Sequence, residues 1–149
     1  MATSRGFGPF TRRMEVRADE IVDGVNRVVR ATALVIDQAV VFSTPVDKGV
    51  ARSNWRVGIG AAPTGTIPAY SPGDELGVGE TANAQAAIAQ GSTVIGSRRP
   101  GQDIFIANNL PYIQPLNDGS SRQAPAGFVE TAVQQAAVAV ASSRVFRTV

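Results

Sequence analysis

Few residues in this chain could do chemistry, and the commonest chemical groups are missing altogether. Histidine is absent, which removes the usual general base near neutral pH and the commonest metal ligand. Cysteine is absent too, so disulfides, thiolate nucleophiles and soft metal sites are excluded, while the redox compartment stays open. Carboxylates remain, in the adjacent pair Asp74-Glu75 and the group Asp19, Glu20 and Asp23. Acid–base work could use them, but adjacent acids in a loop or on a polar helix face are ordinarily just solvated. Gly58-Ile-Gly-Ala-Ala-Pro63 begins like a dinucleotide fingerprint, yet its third glycine is missing and a proline-rich stretch follows where a helix should start. No phosphate-binding loop of the Gly-x4-Gly-Lys-Ser/Thr kind occurs. These features point away from an enzyme, and no cofactor or metal is expected.

The other candidates are binding residues. Arg5, Arg12, Arg13, Arg98 and Arg99 could contact phosphates and so support a small, nonspecific nucleic-acid-binding module. The alternative role for these arginines is ordinary solubilising charge. Trp55 and Tyr112 are aromatic anchors of the kind that dominate interfaces. Trp55, alone on an apolar face, is expected in the core; Tyr112 fits core or interface equally well.

The elements that must position these residues follow from spacing. With 149 residues the chain suits one domain that buries about two-thirds of its unfolded surface, so metal or disulfide staples are unnecessary. Hydrophobic residues make up 44% and charged residues 17%, a globular composition whose low charge leaves apolar surface for partners. Residues 1–12, with two glycines and a proline, predict a flexible arm, and residues 13–149 a single domain. From about Arg13 to Phe42 the stripe Ile21, Val25, Val28, Thr32, Val35, Ala39 and Phe42 predicts a long amphipathic helix. Its opposite side carries Glu20, Asp23, Arg27, Arg30 and Asp37. A second stripe, Val22, Val29, Ala33, Ile36 and Val40, widens the apolar face beyond the needs of one neighbour, and a partner subunit could cover the excess.

Ser43-Thr-Pro-Val-Asp-Lys-Gly49 stops that helix. Alternation from Ala51 to Ile59 predicts a strand with Arg52, Asn54 and Arg56 facing out. Residues 61–79 read as a long Gly/Pro loop. Thr81 to about Ser97 predicts a middle helix, weakened by Gly91 and the β-branched run Thr93-Val94-Ile95. Ile104-Phe105-Ile106 predicts a strand, and Asn117-Asp118-Gly119 a turn. A final amphipathic helix is expected from Pro125 to about Ser143. No apolar signal core opens the chain, and no apolar run approaches the roughly 20 residues that cross a bilayer, so a soluble protein with no membrane partner is expected.

Two blocks resemble the small tail-completion and head-to-tail joining proteins of long-tailed bacteriophages. The first is Thr44-Pro-Val-Asp-Lys-Gly-Val-Ala-Arg-Ser-Asn-Trp55, similar to that family's Thr-Pro-Val-Asp-Thr-Gly turn followed by Arg and Trp, with Lys48 replacing a small hydroxyl residue. The second combines Asn108-Asn-Leu-Pro-Tyr-Ile113, Leu116-Asn-Asp-Gly-Ser-Ser121 and Gln123-Ala-Pro-Ala-Gly-Phe128. The resemblance implies an α+β subunit: a small, mostly antiparallel sheet packed against a long N-terminal helix, a middle helix and a C-terminal helix. It also implies a structural role, as a cyclic homo-oligomer at the neck or upper tail of the virion, assembled in the host cytoplasm. Neighbouring neck or connector proteins and tail-tube or tail-terminator proteins would be its partners; nonspecific contact with DNA is an expectation from the arginines alone. Arg12, Arg13, Asn108, Asn109, Tyr112 and Arg122 are the candidate assembly-interface residues.

Overall fold

A computed structural model describes residues 6–46, 48–73 and 79–143. The long helix α1 spans Phe7–Ser43, and a one-turn helix α2 spans Val50–Ser53. Strand β1 (Arg56–Ile59), helix α3 (Glu80–Gly96) and strand β2 (Ile104–Ala107) follow. A short helix α4 (Ile113–Pro115) runs into a π-helical turn at Leu116–Ser120, and α5 (Phe128–Ser142) closes the described chain. The strands form one antiparallel pair in the register Arg56↔Ala107 to Ile59↔Ile104. The architecture is therefore α+β and mainly helical. Helix α1 packs against α3 and α5, and α3 also covers β1.

The core gathers Val40, Val41, Trp55, Ala84, Ala87 and Ala132, with Ile36, Ile106, Ile113 and Val129 against it. Trp55 lies in this core, as its position on an apolar face predicts. Alanines on α3 and α5 let the helix axes approach α1 closely, which suits packing of ridges into grooves. The β-branched end of α3 stays helical because Ile95 is fully buried, and burying such a side chain outweighs a propensity deficit of a few tenths of a kcal/mol.

Several expectations need correction. The arm predicted over 1–12 is helical from Phe7 onward, with its first five residues outside the described set. Pro9 does not interrupt it, because the first four N–H groups of a helix have no intrahelical acceptor to lose. Every residue from Gly6 to Asp23 is nonetheless exposed, so the segment is a helical arm standing off the body. Along α1 the two stripes partly exchange roles. Ile21, Val25 and Phe42 of the first stripe are exposed, while Ala33 and Val40 of the second are buried together with Val41. Asp37, expected on the polar side, is 1% exposed.

The strand predicted over 51–59 begins only at Arg56. Its first part is α2, entered through Gly49 at φ 76°, and Asn54 is buried rather than outward-facing. Short side chains that bond nearby backbone groups compete with strand pairing, and Ser53 and Asn54 do so here. The C-terminal helix starts at Phe128 and not at Pro125. Gly127, at φ 72°, holds the left-handed position before its first turn.

Candidate functional site

A cleft of about 420 Å³ lies where the two sequence blocks meet. Pro45, Val46, Lys48, Val50 and Ala51 of the first block form one wall, and Tyr112, Leu116, Ser121 and Gln123 of the second form the other. Residues some seventy positions apart are joined directly, the Val46 N–H donating to Gln123 Oε1 at 2.8 Å.

The first wall is built around the end of α1. Thr44 leaves the helix in an extended conformation. Its buried hydroxyl donates to Val40 O at 2.6 Å and accepts from Trp55 Nε1 at 2.7 Å. Arg52 donates from Nε to Thr44 O at 3.1 Å and from Nη2 to Phe42 O at 3.3 Å, meeting carbonyls that the helix end leaves unpaired. Burial pulls the Arg52 guanidinium below its ordinary value, and the Glu80 carboxylate partly offsets this. Gly49 is required twice over: its φ is left-handed, and a Cβ there would sit 2.8 Å from Asn83 Cγ.

Asn83, in the first turn of α3, ties this wall to the Gly/Pro loop. Its Oδ1 accepts from Ser53 Oγ at 2.9 Å and from Ser71 N–H at 2.8 Å. Its Nδ2 donates to Ser71 O at 2.8 Å and Gly79 O at 2.9 Å. Asn54 secures the same loop at Ile67, donating to its carbonyl at 2.7 Å and accepting from its N–H at 2.8 Å. The loop is long and irregular in sequence, yet its described part is stitched to the body by carboxamides.

The second wall depends on Asn108, Asn109 and Asn117. Asn108 Nδ2 donates to Ala51 O at 2.9 Å, and its Oδ1 accepts from Leu110 N–H at 3.2 Å. Asn109 Nδ2 reaches Pro63 O at 2.8 Å and Gly65 O at 3.2 Å. Asn108, a candidate for an assembly surface, is thus engaged in joining the two walls, and Asn109, another such candidate, in tying the second wall to the Gly/Pro loop more than forty residues away in sequence. Asn117 governs the start of α5. Its Oδ1 accepts from Val129 N–H at 3.0 Å, its backbone oxygen accepts from Gly127 N–H at 2.7 Å, and its Nδ2 donates to both oxygens of Glu130. This cap is supplied from ten residues upstream of the N-cap position, Gly127, rather than from that position itself. The Asn117 bond is the main reason the exposed Glu130 carboxyl lies below its ordinary value, with its own backbone N–H second.

The remaining candidates divide. Tyr112 is 43% exposed at the cleft, and Arg122, between the cleft residues Ser121 and Gln123 in sequence, is exposed. Arg12 and Arg13 lie on the arm, about 50 Å along α1 from the cleft at 1.5 Å per residue. They line a separate recess with Pro9, Val16, Arg17 and Glu20. Arg98, a candidate phosphate contact, is instead buried. Its Nε donates to Gln102 O at 2.8 Å, its Nη1 donates to Asn26 Oδ1, and its carbonyl accepts from Arg30 Nη2. Arg5, Asp74 and Glu75 lie outside the described residues.

Sequence reasoning missed Asn83, Asn117 and Asp37. For Asn83 a signal existed, the one asparagine of an alanine-rich helix, set beside Ala84. For Asn117 the turn reading of Asn-Asp-Gly concealed the tertiary role.

Chemically the cleft offers one ammonium, an amide, a hydroxyl and a phenol against apolar walls. That set can bind a side chain or a peptide. Among the described residues no three acidic side chains gather to hold a metal ion, and no helix is long and apolar enough to cross a membrane. Comparison with protein-family models, curated proteins and solved structures yields no match to this chain.

Proposed function

We propose that this chain is a structural virion protein of a long-tailed phage, a ring subunit at the neck that completes the tail and joins it to the head. The observation that carries this reading is the convergence of the two phage-like blocks on one cleft. Separated in sequence, Thr44 to Trp55 and Asn108 to Phe128 supply facing walls bonded through Val46 and Gln123. A surface assembled this way, half apolar and bonded across its two walls, suits the capture of a neighbouring subunit's chain. Head-to-tail contacts that close produce a ring. Tyr112 and Leu116 are the apolar anchors of that contact.

The test is genetic complementation with particle imaging. Phage lacking the gene should accumulate filled heads and unjoined tails, and wild-type protein should restore joining. Tyr112→Ala combined with Leu116→Asp should fold, as judged by its circular dichroism, yet fail to restore it. Normal particles without the gene would remove the proposal.

A further inference from the structure

The arm of α1 carries a seam with no cover in the described chain. Phe7, Met14 and Ile21 recur every seven residues, and Thr11, Ala18 and Val25 interleave four residues after each, the spacing of a helix-pairing seam. Phe7 is 78% exposed, Met14 53%, Ile21 59% and Val25 50%. A 17-residue helical extension without tertiary support is marginal in water, so the arm gains its order from whatever covers the seam.

Charge identifies the cover. Arg12, Arg13 and Arg17 occupy the first part of the arm, and Asp19, Glu20 and Asp23 the second, with Glu15 the one departure. A parallel second copy would set like charges side by side. An antiparallel copy sets Arg12 and Arg13 against the partner's Asp19 and the partner's Glu20. This register also places Met14 against the partner's Ala18, a large residue against a small one, and Phe7 level with the partner's Val25.

The base of the arm supports the same register independently. An apolar recess of about 270 Å³ opens there between Ile21, Val22 and Val25 on the helix and Pro100 and Gly101 on the turn before β2. In the charge-matched register, Phe7 and Phe10 of the partner subunit arrive at Val25 and Val22, the lip of this recess. The most exposed aromatic of the arm meets an apolar hole of sufficient size.

We infer that the arm is a self-association device: two copies of this chain pair antiparallel along Phe7–Val25, each seating its Phe7 in the recess at the base of the other's arm. The contact is isologous, the same surface used on both subunits. It leaves the cleft at the far end of α1 free for neighbours in a ring, and it stands whether or not the protein acts in a virion.

Cross-linking tests it on the full chain, which has no cysteine to interfere. Met14→Cys and Ala18→Cys chains, mixed and oxidised, should yield the mixed disulfide dimer in preference to either homodimer, whatever the total subunit number. Sedimentation of the charge variants gives a second readout. Arg12→Glu with Arg13→Glu, and Asp19→Lys with Glu20→Lys, should each weaken pairing about tenfold, and their mixture should restore it. Preferential Met14→Cys homodimers would indicate a parallel pair and overturn the inference. So would a mixture no tighter than its components, or an arm that binds anionic vesicles or duplex DNA while the protein sediments as a monomer.

Discussion

Asn83 and Asp37 are both buried polar side chains set against α3, one in its first turn and one against its middle. Asn83 makes four hydrogen bonds, two accepted and two donated, to α2 and to the Gly/Pro loop. Asp37 packs from α1 against Gly91, and neither of its carboxyl oxygens has a partner among the described residues. The difference is chemical. A carboxamide is neutral at every pH and can satisfy itself fully, whereas a carboxyl buried without a donor must keep its proton or bear the cost of an unpaired charge. Burial accordingly pushes Asp37 up to about 7. One end of α3 is fastened by hydrogen bonds, and its middle carries a joint whose packing depends on pH.

The largest effect should come from that joint. The folded chain holds the Asp37 proton up to about pH 7, while the unfolded chain releases it near 3.8. Between those values the native state binds more protons, so its stability is greatest on the acid side and falls as pH rises toward 7. At about 1.4 kcal/mol per pH unit the interval amounts to about 4 kcal/mol. Urea unfolding of wild type and Asp37→Asn from pH 4 to pH 8 should show this slope in the first and its loss in the second. Equal slopes would mean that Asp37 is ionised and paired in solution.

Next in size is the fastened end. Asn83→Ala strands the Ser53 hydroxyl, the Ser71 N–H and two carbonyls, a loss of about 3 kcal/mol. The midpoint of chemical denaturation should fall accordingly, with no dependence on pH. A change below about 0.5 kcal/mol, the range of an ordinary surface substitution, would show that the amide is not the hub of this region.

Much of the frame was legible in the sequence because periodicity reports burial. The middle helix, the Ile104 strand, the break at Thr44-Pro45 and the core position of Trp55 all follow from local pattern. What local pattern conceals is tertiary hydrogen bonding and who covers an apolar face. Ser53 and Asn54 lie in the run Ala51 to Ile59 whose alternation predicts a strand, yet partners at Asn83 and Ile67 hold them in a helical turn and its exit. Asp37 falls on the polar side of a stripe chosen for its regularity, but α3 and α5 approach α1 along a different line. The cleft was half legible: its two blocks stood out as conformation-setting runs, but their meeting depends on Gln123 reaching Val46, which no spacing encodes.

The remote cap on α5 extends the comparison to a third carboxamide. Asn117→Ala removes the acceptor for Val129 N–H and should cost about 0.5–2 kcal/mol, the usual range for a helix cap. The Glu130 carboxyl, held low chiefly by the Asn117 amide, should titrate higher in the variant. NMR titration of its side-chain carbon would check this, and an unchanged value would assign the depression to the helix backbone alone.

The smallest effect is the most discriminating, because two opposing terms nearly cancel. Gly91 weakens α3 by roughly 1 kcal/mol relative to alanine. A Cβ at this position would nevertheless fall 3.0 Å from both Asp37 Cγ and Val57 Cγ2 and press closer still on Asp37 Oδ2, and overpacking of that kind costs about 1–3 kcal/mol. Gly91→Ala should therefore destabilise by about 1 kcal/mol net. In an Asp37→Ala background only the contact with Val57 Cγ2 remains, so the cost should shrink and helix propensity should turn the same substitution stabilising. A double-mutant cycle measures the sign change directly. Persistence of the cost without Asp37 would shift its cause to Val57 and separate the glycine from the buried carboxyl.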